Sequence, residues 1–238
     1  MKIEIWSDVM CPFCYIGKRR LEASLEKFEH KDKVEIVWKS FLLNPDLKTN
    51  PDLSTLEYLS ESKGWSKSQT EQIMSQVVDM ASQEGLTYHM DRTVVANAKN
   101  AHRVLQFAKA VRLGDDMKER LFKAYFTEGE NIDDTATLQR LGEEVGLDQE
   151  DLKDVLASDQ FIEKVNSDIQ EAIQIGVRGV PFFVFDNKFA ISGAQASETF
   201  DQTLIKAWEK FMDAQKPHVI GSQESNNSCD LEGNCNND

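Results

Sequence analysis

The run Trp6-Ser7-Asp8-Val9-Met10-Cys11-Pro12-Phe13-Cys14 decides the reading of this chain. Before it, Lys2-Ile3-Glu4-Ile5-Trp6 alternates polar and apolar residues, the period of a strand over 1–7. After it, Ile16, Leu21, Leu25 and Phe28 make an apolar stripe that predicts a helix over 12–29. Two cysteines therefore sit where a first strand gives way to a first helix. A helix N-terminus favours negative charge and the thiolate is the reactive form of cysteine, so Cys11, at or near the N-cap, is expected to have a depressed pKa. Pro12 suits the first turn, where its missing N–H costs nothing. Cys14 lies one turn in, close enough to attack a mixed disulfide on Cys11. The same spacing also serves half of a zinc site, which needs two more ligands. The other cysteines are Cys229 and Cys235, at the far end of the chain.

A second region favours redox chemistry. Gly176-Val177-Arg178-Gly179-Val180-Pro181 leads into the apolar run Phe182-Phe183-Val184-Phe185, and Asp186-Asn187-Lys188 turns the chain back into Phe189-Ala190-Ile191. A proline is allowed at the first residue of a strand. On its own it reads as an ordinary trans proline opening a hairpin. Paired with an N-terminal Cys-x-x-Cys it reads as the proline of a thioredoxin fold, which is cis and faces the dithiol.

Between these regions, Val34–Trp38 reads as a second strand that ends before Asn44-Pro45-Asp46. From about Asp52 to Ile175 the periodicity is helical and no strand is read. Ser54 with Glu57 has the capping-box pattern. Helices are predicted over 66–84, 94–113, 115–126, 133–145, 148–157 and 159–175, several of them stopped by glycine. Phe182–Asp186 and Phe189–Ser192 form a hairpin. A closing helix over 196–214 presents Phe200, Leu204, Trp208 and Phe211 on one face. The order βαβ then ββα predicts an α/β, thioredoxin-like fold with a large all-helical insertion. Residues 1–48 with 176–216 form the thioredoxin-like part and 49–175 the insertion. Residues 217–238 read as a flexible polar tail carrying a cysteine pair.

Several segments resemble the DsbA family, and within it the FrnE-like branch. Ser7 to Cys14 is similar to that branch's active-site segment, Ser40-Phe41-Leu42-Leu43-Asn44-Pro45 to the element after its second strand, and Asn97-Ala98-Lys99-Asn100-Ala101-His102-Arg103 to a helix motif of its inserted domain. Gly176 to Pro181 looks like its cis-proline loop and Ser192-Gly193-Ala194-Gln195 like the turn after its last strand. About the last 20 residues fall outside the resemblance. It implies a thiol–disulfide oxidoreductase or isomerase acting on protein disulfides, with Cys11 and Cys14 catalytic. Pro12, Phe13, Val180 and Pro181 would contact substrate, and neither a separate cofactor nor a metal is needed. Implied partners are proteins carrying thiols or disulfides, with glutathione as a further candidate. Some FrnE-like members carry an extra C-terminal cysteine pair, which makes Cys229 and Cys235 a candidate auxiliary redox pair; two incidental thiols are the alternative. The best-known DsbA proteins have histidine where this chain has Phe13, which can neither donate a hydrogen bond nor carry charge. A more moderate potential is expected from that difference. Kappa-class glutathione transferases and hydroxychromene-carboxylate isomerases share the insertion architecture, usually with serine at the position of Cys11. A glutathione-dependent isomerase or transferase is therefore the alternative function.

The net charge of −14 argues against nucleic acid and anionic membrane surfaces as partners. Hydrophobic content of 40% and charged content of 29% are those of an ordinary globular protein. No secretory signal or membrane span is read, so a cytoplasmic location is expected, where Cys-x-x-Cys is more often catalytic or metal-binding than structural. His102 reads as a structural histidine at the domain interface or a proton acceptor near Cys11, and Asp8 as an acid/base group or a cap for the first helix. Trp6 and Trp38 read as core aromatics. Phe13, Tyr15 and Met10 are expected to form an apolar lip for unfolded substrates.

Overall fold

The protein is described here over residues 1–216, as a computed structural model. Cys229 and Cys235 lie outside the described residues. Strand β1 (Lys2–Ser7) leads into helix α1 (Pro12–Lys27), which crosses over to β2 (Glu35–Ser40), parallel to β1. The chain returns to this sheet only at β5 (Phe182–Phe185) and β6 (Phe189–Ser192), and the strand order is β2-β1-β5-β6. β5 is antiparallel to both β1 and β6, with Ile5 opposite Phe183 and Phe183 opposite Ile191. Helix α9 (Ser197–Gln215) closes the fold. Alternation along the strands gives each face its own core. Ile3, Ile5, Phe183, Phe185 and Ile191 pack with Leu21 of α1 and with Phe200, Leu204 and Trp208 of α9. Trp6, Val177 and Ala172 form a small cluster on the opposite face.

Between β2 and β5 run α2 (Thr55–Lys63), α3 (Lys67–Gln83), α4 (Lys99–Ala110), α5 (Gly114–Lys123), α6 (Thr135–Val145), α7 (Gln149–Ala157) and α8 (Ile162–Gln174). The capping box at Ser54 and Glu57 is present, and a second joins Ser66 to Gln69. These helices share one large apolar cluster with Val9, Cys11, Cys14, Tyr15 and Ile16 from the start of α1.

The insertion is not purely helical. β3 (Asn50–Ser54) pairs antiparallel with β4 (Val94–Val95) in a short, irregular ribbon. β3 escapes a sequence reading because Asn50-Pro51-Asp52 has the composition of a turn. The helix expected from Val94 begins only at Lys99. Asn97 holds the preceding segment off the helix: its amide donates to the carbonyls of Pro45 and Leu47 (3.2 and 2.8 Å), and its side-chain oxygen accepts the Lys99 N–H (2.8 Å). Past Lys123, α5 widens into a π-helical turn, Ala124–Glu128. α8 begins at Ile162, after Phe161 adopts left-handed backbone (φ 65°).

Buried Asp168 ties the insertion to the sheet. From α8 its carboxylate accepts the Ser40 N–H of β2 (2.8 Å) and the Gln106 amide of α4 (2.6 Å), while its carbonyl accepts the Trp6 indole N–H (2.9 Å).

Candidate active site

Cys11 is the N-cap residue of α1, with extended backbone, and Pro12 follows at the first helical position. The loop from β1 is drawn tight by the Cys11 N–H donating to the Asp8 carbonyl (3.2 Å), and the Cys14 N–H donates to the Cys11 carbonyl (3.0 Å). The Val180–Pro181 peptide is cis, and the Cys11 thiol donates to the Val180 carbonyl at 3.4 Å across a gap of 169 residues in sequence. The dithiol and the proline loop thus meet face to face. Gly17, one turn beyond Cys14, sets that distance: a Cβ there would lie 3.0 Å from Phe183 Cζ and 3.1 Å from Pro181 Cγ. Both cysteines are reduced and buried, 3% and 1% exposed. Phe13 between them is 38% exposed.

The expected lip is smaller than the sequence implied. Tyr15 is buried, stacked on Phe122 (4.8 Å between ring centroids), with its hydroxyl donating to Glu119 (2.5 Å). Its position in α1 turns it toward the insertion instead of toward solvent. Phe13 and half-buried Met10 remain at the rim, and Leu43, 54% exposed, joins them through its N–H, which donates to Asp8 (2.8 Å). Trp6 and Trp38 are core aromatics, as read.

Asp8 does not cap α1. Its carboxylate accepts the N–H groups of Met10 (3.2 Å) and Leu43 (2.8 Å) and faces His102 Nε2 at 3.4 Å. Burial pushes its pKa up, but the hydrogen bond to the His102 side chain and those from the two backbone N–H groups together hold it below the ordinary value. Burial pushes His102 down, and the nearby Lys118 ammonium outweighs enough of the Asp8 attraction to leave the shift downward. An ionised carboxylate can only accept, so the neutral imidazole carries its proton on Nε2. His102 therefore bridges α4 to the active-site loop, the structural role of the two weighed from sequence.

The expected depression of the Cys11 pKa is not found. The thiol is pushed well above its ordinary range, first by its hydrogen bond to Cys14, then by burial, then by the charges of Cys14 and Asp8. The helix terminus is outweighed because the two sulfurs share one dry pocket, where a second negative charge is strongly opposed.

Two residues that the sequence did not single out complete the site. Tyr88 donates its hydroxyl to the Pro12 carbonyl (2.8 Å) and stacks on Phe126, fastening the insertion over the first turn of α1. Lys118 of α5 is fully buried beside the dithiol. Its sequence signal was present but faint: a lysine in register with Met117, Leu121 and Phe122 on the buried side of an amphipathic helix. Among the described residues no cluster of three or more His, Cys, Asp or Glu is arranged to hold a metal ion, and no helix is long and apolar enough to cross a membrane.

Known proteins share this fold. The structure is similar to the probable DsbA oxidoreductase SCO1869 from Streptomyces coelicolor, with 33% identity, 100% of this chain and 99% of that one covered, and a TM-score of 0.85. The sequence is 28% identical over 210 residues to the uncharacterized protein YwbO of Bacillus subtilis (strain 168), covering 87% of this chain and 98% of that protein. The cytosolic disulfide reductase DsbM from Pseudomonas aeruginosa shares the fold at 16% identity and a TM-score of 0.60, covering 90% and 98% of the two chains. The 2-hydroxychromene-2-carboxylate isomerase shares it at 15% and 0.65, covering 91% and 100%. The model of the DSBA-like thioredoxin domain matches residues 2–205, and the chain belongs to that family of thiol–disulfide oxidoreductases.

Proposed function

We propose that this protein exchanges disulfides with other proteins through Cys11 and Cys14. The observation that carries the reading is the Cys11 thiol set against the Val180 carbonyl at the cis Val180–Pro181 bond. In the reductive direction the Cys11 thiolate attacks a substrate disulfide; one substrate sulfur leaves as thiolate and the other stays bonded to Cys11. Cys14 then attacks Cys11, releasing the second substrate thiolate and closing the Cys11–Cys14 disulfide. Two electrons have passed to the substrate. The oxidative direction is the reverse.

Substrate binding follows from the loop. Val180 precedes β5, so its backbone lies outside the sheet ladder and is available to an extended peptide. No atom outside its chain neighbours lies within 4 Å of where a Gly179 side chain would begin, leaving room on that side. Phe13, Met10 and Leu43 supply apolar contact, and Pro12 and Pro181 shape the rim. Thiol- or disulfide-bearing proteins of a cytoplasmic compartment fit as partners, with glutathione as a small thiol able to reset the pair. The FrnE-like assignment belongs to the same reading.

The test is a glutathione redox titration with thiol trapping and intact-mass readout on wild type, Cys11→Ser and the double variant Cys229→Ser/Cys235→Ser. A two-electron transition lost in Cys11→Ser is expected. If Cys11→Ser keeps the transition, the assignment fails. A midpoint that moves in the tail variant makes Cys229 and Cys235 a relay.

A further inference from the structure

Two lysines, Lys18 of α1 and Lys118 of α5, are buried, and they are treated differently. Lys18 is 4% exposed and meets Glu22, Glu119 at 3.0 Å and Asp115 at 3.7 Å. Lys118 is 0% exposed, and its ammonium has no hydrogen-bond partner among the described residues. It stands 4.7 Å from the ring centre of Phe122 and 5.5 Å from that of Trp38. Aromatic faces attract a cation but do not replace its hydration. A buried charge without a counter-ion is strongly unfavourable and is retained where it has work to do.

The surroundings of Lys118 indicate that work. Phe122 stacks on Tyr15, the residue after Cys14, so the ammonium lies against a ring of the core cluster that holds the dithiol. The titratable groups that face it are Cys11 and Cys14 from α1, Asp8 from the loop before α1, and His102 and Lys109 from α4. Cys14 is the strongest of the charges acting on it, ahead of Asp8 and Cys11, while Lys109 opposes. Asp8 is already engaged by two backbone N–H groups and His102. The one counter-charge that comes and goes is a thiolate of the pair.

We propose that Lys118 is a positioning residue for redox charge: its ammonium holds the reduced Cys11–Cys14 pair as one thiolate and one thiol, and it gives up its proton when the pair closes to the disulfide. The inference rests on the redox reading of the pair given above. Reduction of the disulfide by two glutathione thiols supplies two electrons and two protons and leaves one glutathione disulfide. One proton stays on a cysteine sulfur, the other goes to Lys118 Nζ, and the second sulfur remains a thiolate. Charge balances on both sides, since a neutral disulfide and neutral amine become a thiolate, a thiol and an ammonium. Lys118 thereby does from the insertion what Phe13 cannot do from within the Cys-x-x-Cys. Burial lowers the lysine to about 8, which brings its protonation into the working range of a thiol.

The test uses the full-length chain carrying Cys229→Ser and Cys235→Ser, so that one dithiol titrates. Lys118→Met is compared with that parent, and Lys153→Gln, exposed and distant, controls for net charge. Lys118→Met is expected to move the glutathione equilibrium about tenfold toward the disulfide and to shift thiolate absorbance to higher pH, because a thiolate loses its cation. Lys153→Gln is expected to change neither. On the parent, proton uptake on reduction near pH 8 is expected to approach two per pair while absorbance shows one thiolate formed. That readout decides the matter if Lys118→Met fails to fold. An unchanged equilibrium and thiolate titration in a folded Lys118→Met, or one proton taken up per thiolate formed, overturns the proposal. If the parent has no two-electron transition, the dithiol reading itself has failed, a different result from a transition indifferent to Lys118.

Discussion

Helix α1 has two sides that live in different chemistry. Toward the sheet and α9 it buries Leu21 among Ile3, Ile5, Phe183, Phe200 and Trp208, and the buried Ser24 hydroxyl donates to the Ser197 carbonyl. Toward the insertion it buries Cys14, Tyr15 and Lys18, and there Asp8, His102 and Lys118 are buried as well. The first side is an ordinary apolar core that fixes where α1 lies. The second holds ionisable groups in a dry medium, where each charge depends on its neighbours. Buried ionisable groups therefore gather on one side of α1 and an uncharged apolar core on the other.

Substitutions can break that division if it is wrong. The largest effect is expected from Phe200→Ala on the sheet side, roughly 3–5 kcal/mol lost in denaturant unfolding, equal in the reduced and oxidised protein. Lys118→Met, on the other side, should raise stability despite lying just as deep. Burial that lowers this lysine from 10.5 to about 8 costs roughly 3 kcal/mol, which methionine avoids, and the gain should be larger in the disulfide form, where no thiolate offsets the cost of burying the lysine. A loss of stability there would erase the distinction between the two sides. Gly17→Ala tests the seam between them: the added methyl must displace Pro181 or Phe183, and about 1–3 kcal/mol of destabilisation should come with a drop in insulin-reduction rate.

The pH dependence belongs to the insertion side. His102 titrates below 6.5 when folded, so the unfolded chain binds more protons between that lower value and 6.5. Stability from this group is therefore full above 6.5 and is lost as pH falls through the folded value. Asp8, also lowered, adds a second loss of the same sign below 3.8. Urea unfolding of His102→Asn at a series of pH values should show a flatter slope just below 6.5 than the parent. The smallest effect is expected from Phe13→Ala at the rim: stability within about 0.5 kcal/mol of wild type and KM for a protein disulfide raised a few-fold.

The sheet side was legible because its signals are periodic. Ile3 and Ile5 alternate with polar neighbours, and Phe200, Leu204, Trp208 and Phe211 recur at helical spacing. Cys11, Cys14 and Pro181 were legible as types at characteristic positions. The charge environment was not. The depressed Cys11 pKa expected from helix position alone gave way to burial beside Cys14, which depends on packing from α4 and α5. Lys118 was not singled out, since one lysine in an amphipathic helix carries only a faint signal of its burial. Tyr15 was misplaced at the rim because motif proximity says nothing about helical phase. The β3–β4 ribbon stayed hidden for want of any strand-forming residues in Asn50-Pro51-Asp52.

The near-complete enclosure of both sulfurs has a consequence for what can be a substrate. If the protein exchanges disulfides as proposed, a disulfide locked inside a folded domain would not bring its sulfur to a thiol that is 3% exposed, whereas a chain able to lie extended beside Val180 would. The enzyme would then respond to the conformational freedom of its partners as well as to their cysteines. Its rate on any one protein should follow the fraction of time that protein spends locally open, so that turnover serves as a gauge of its client's instability.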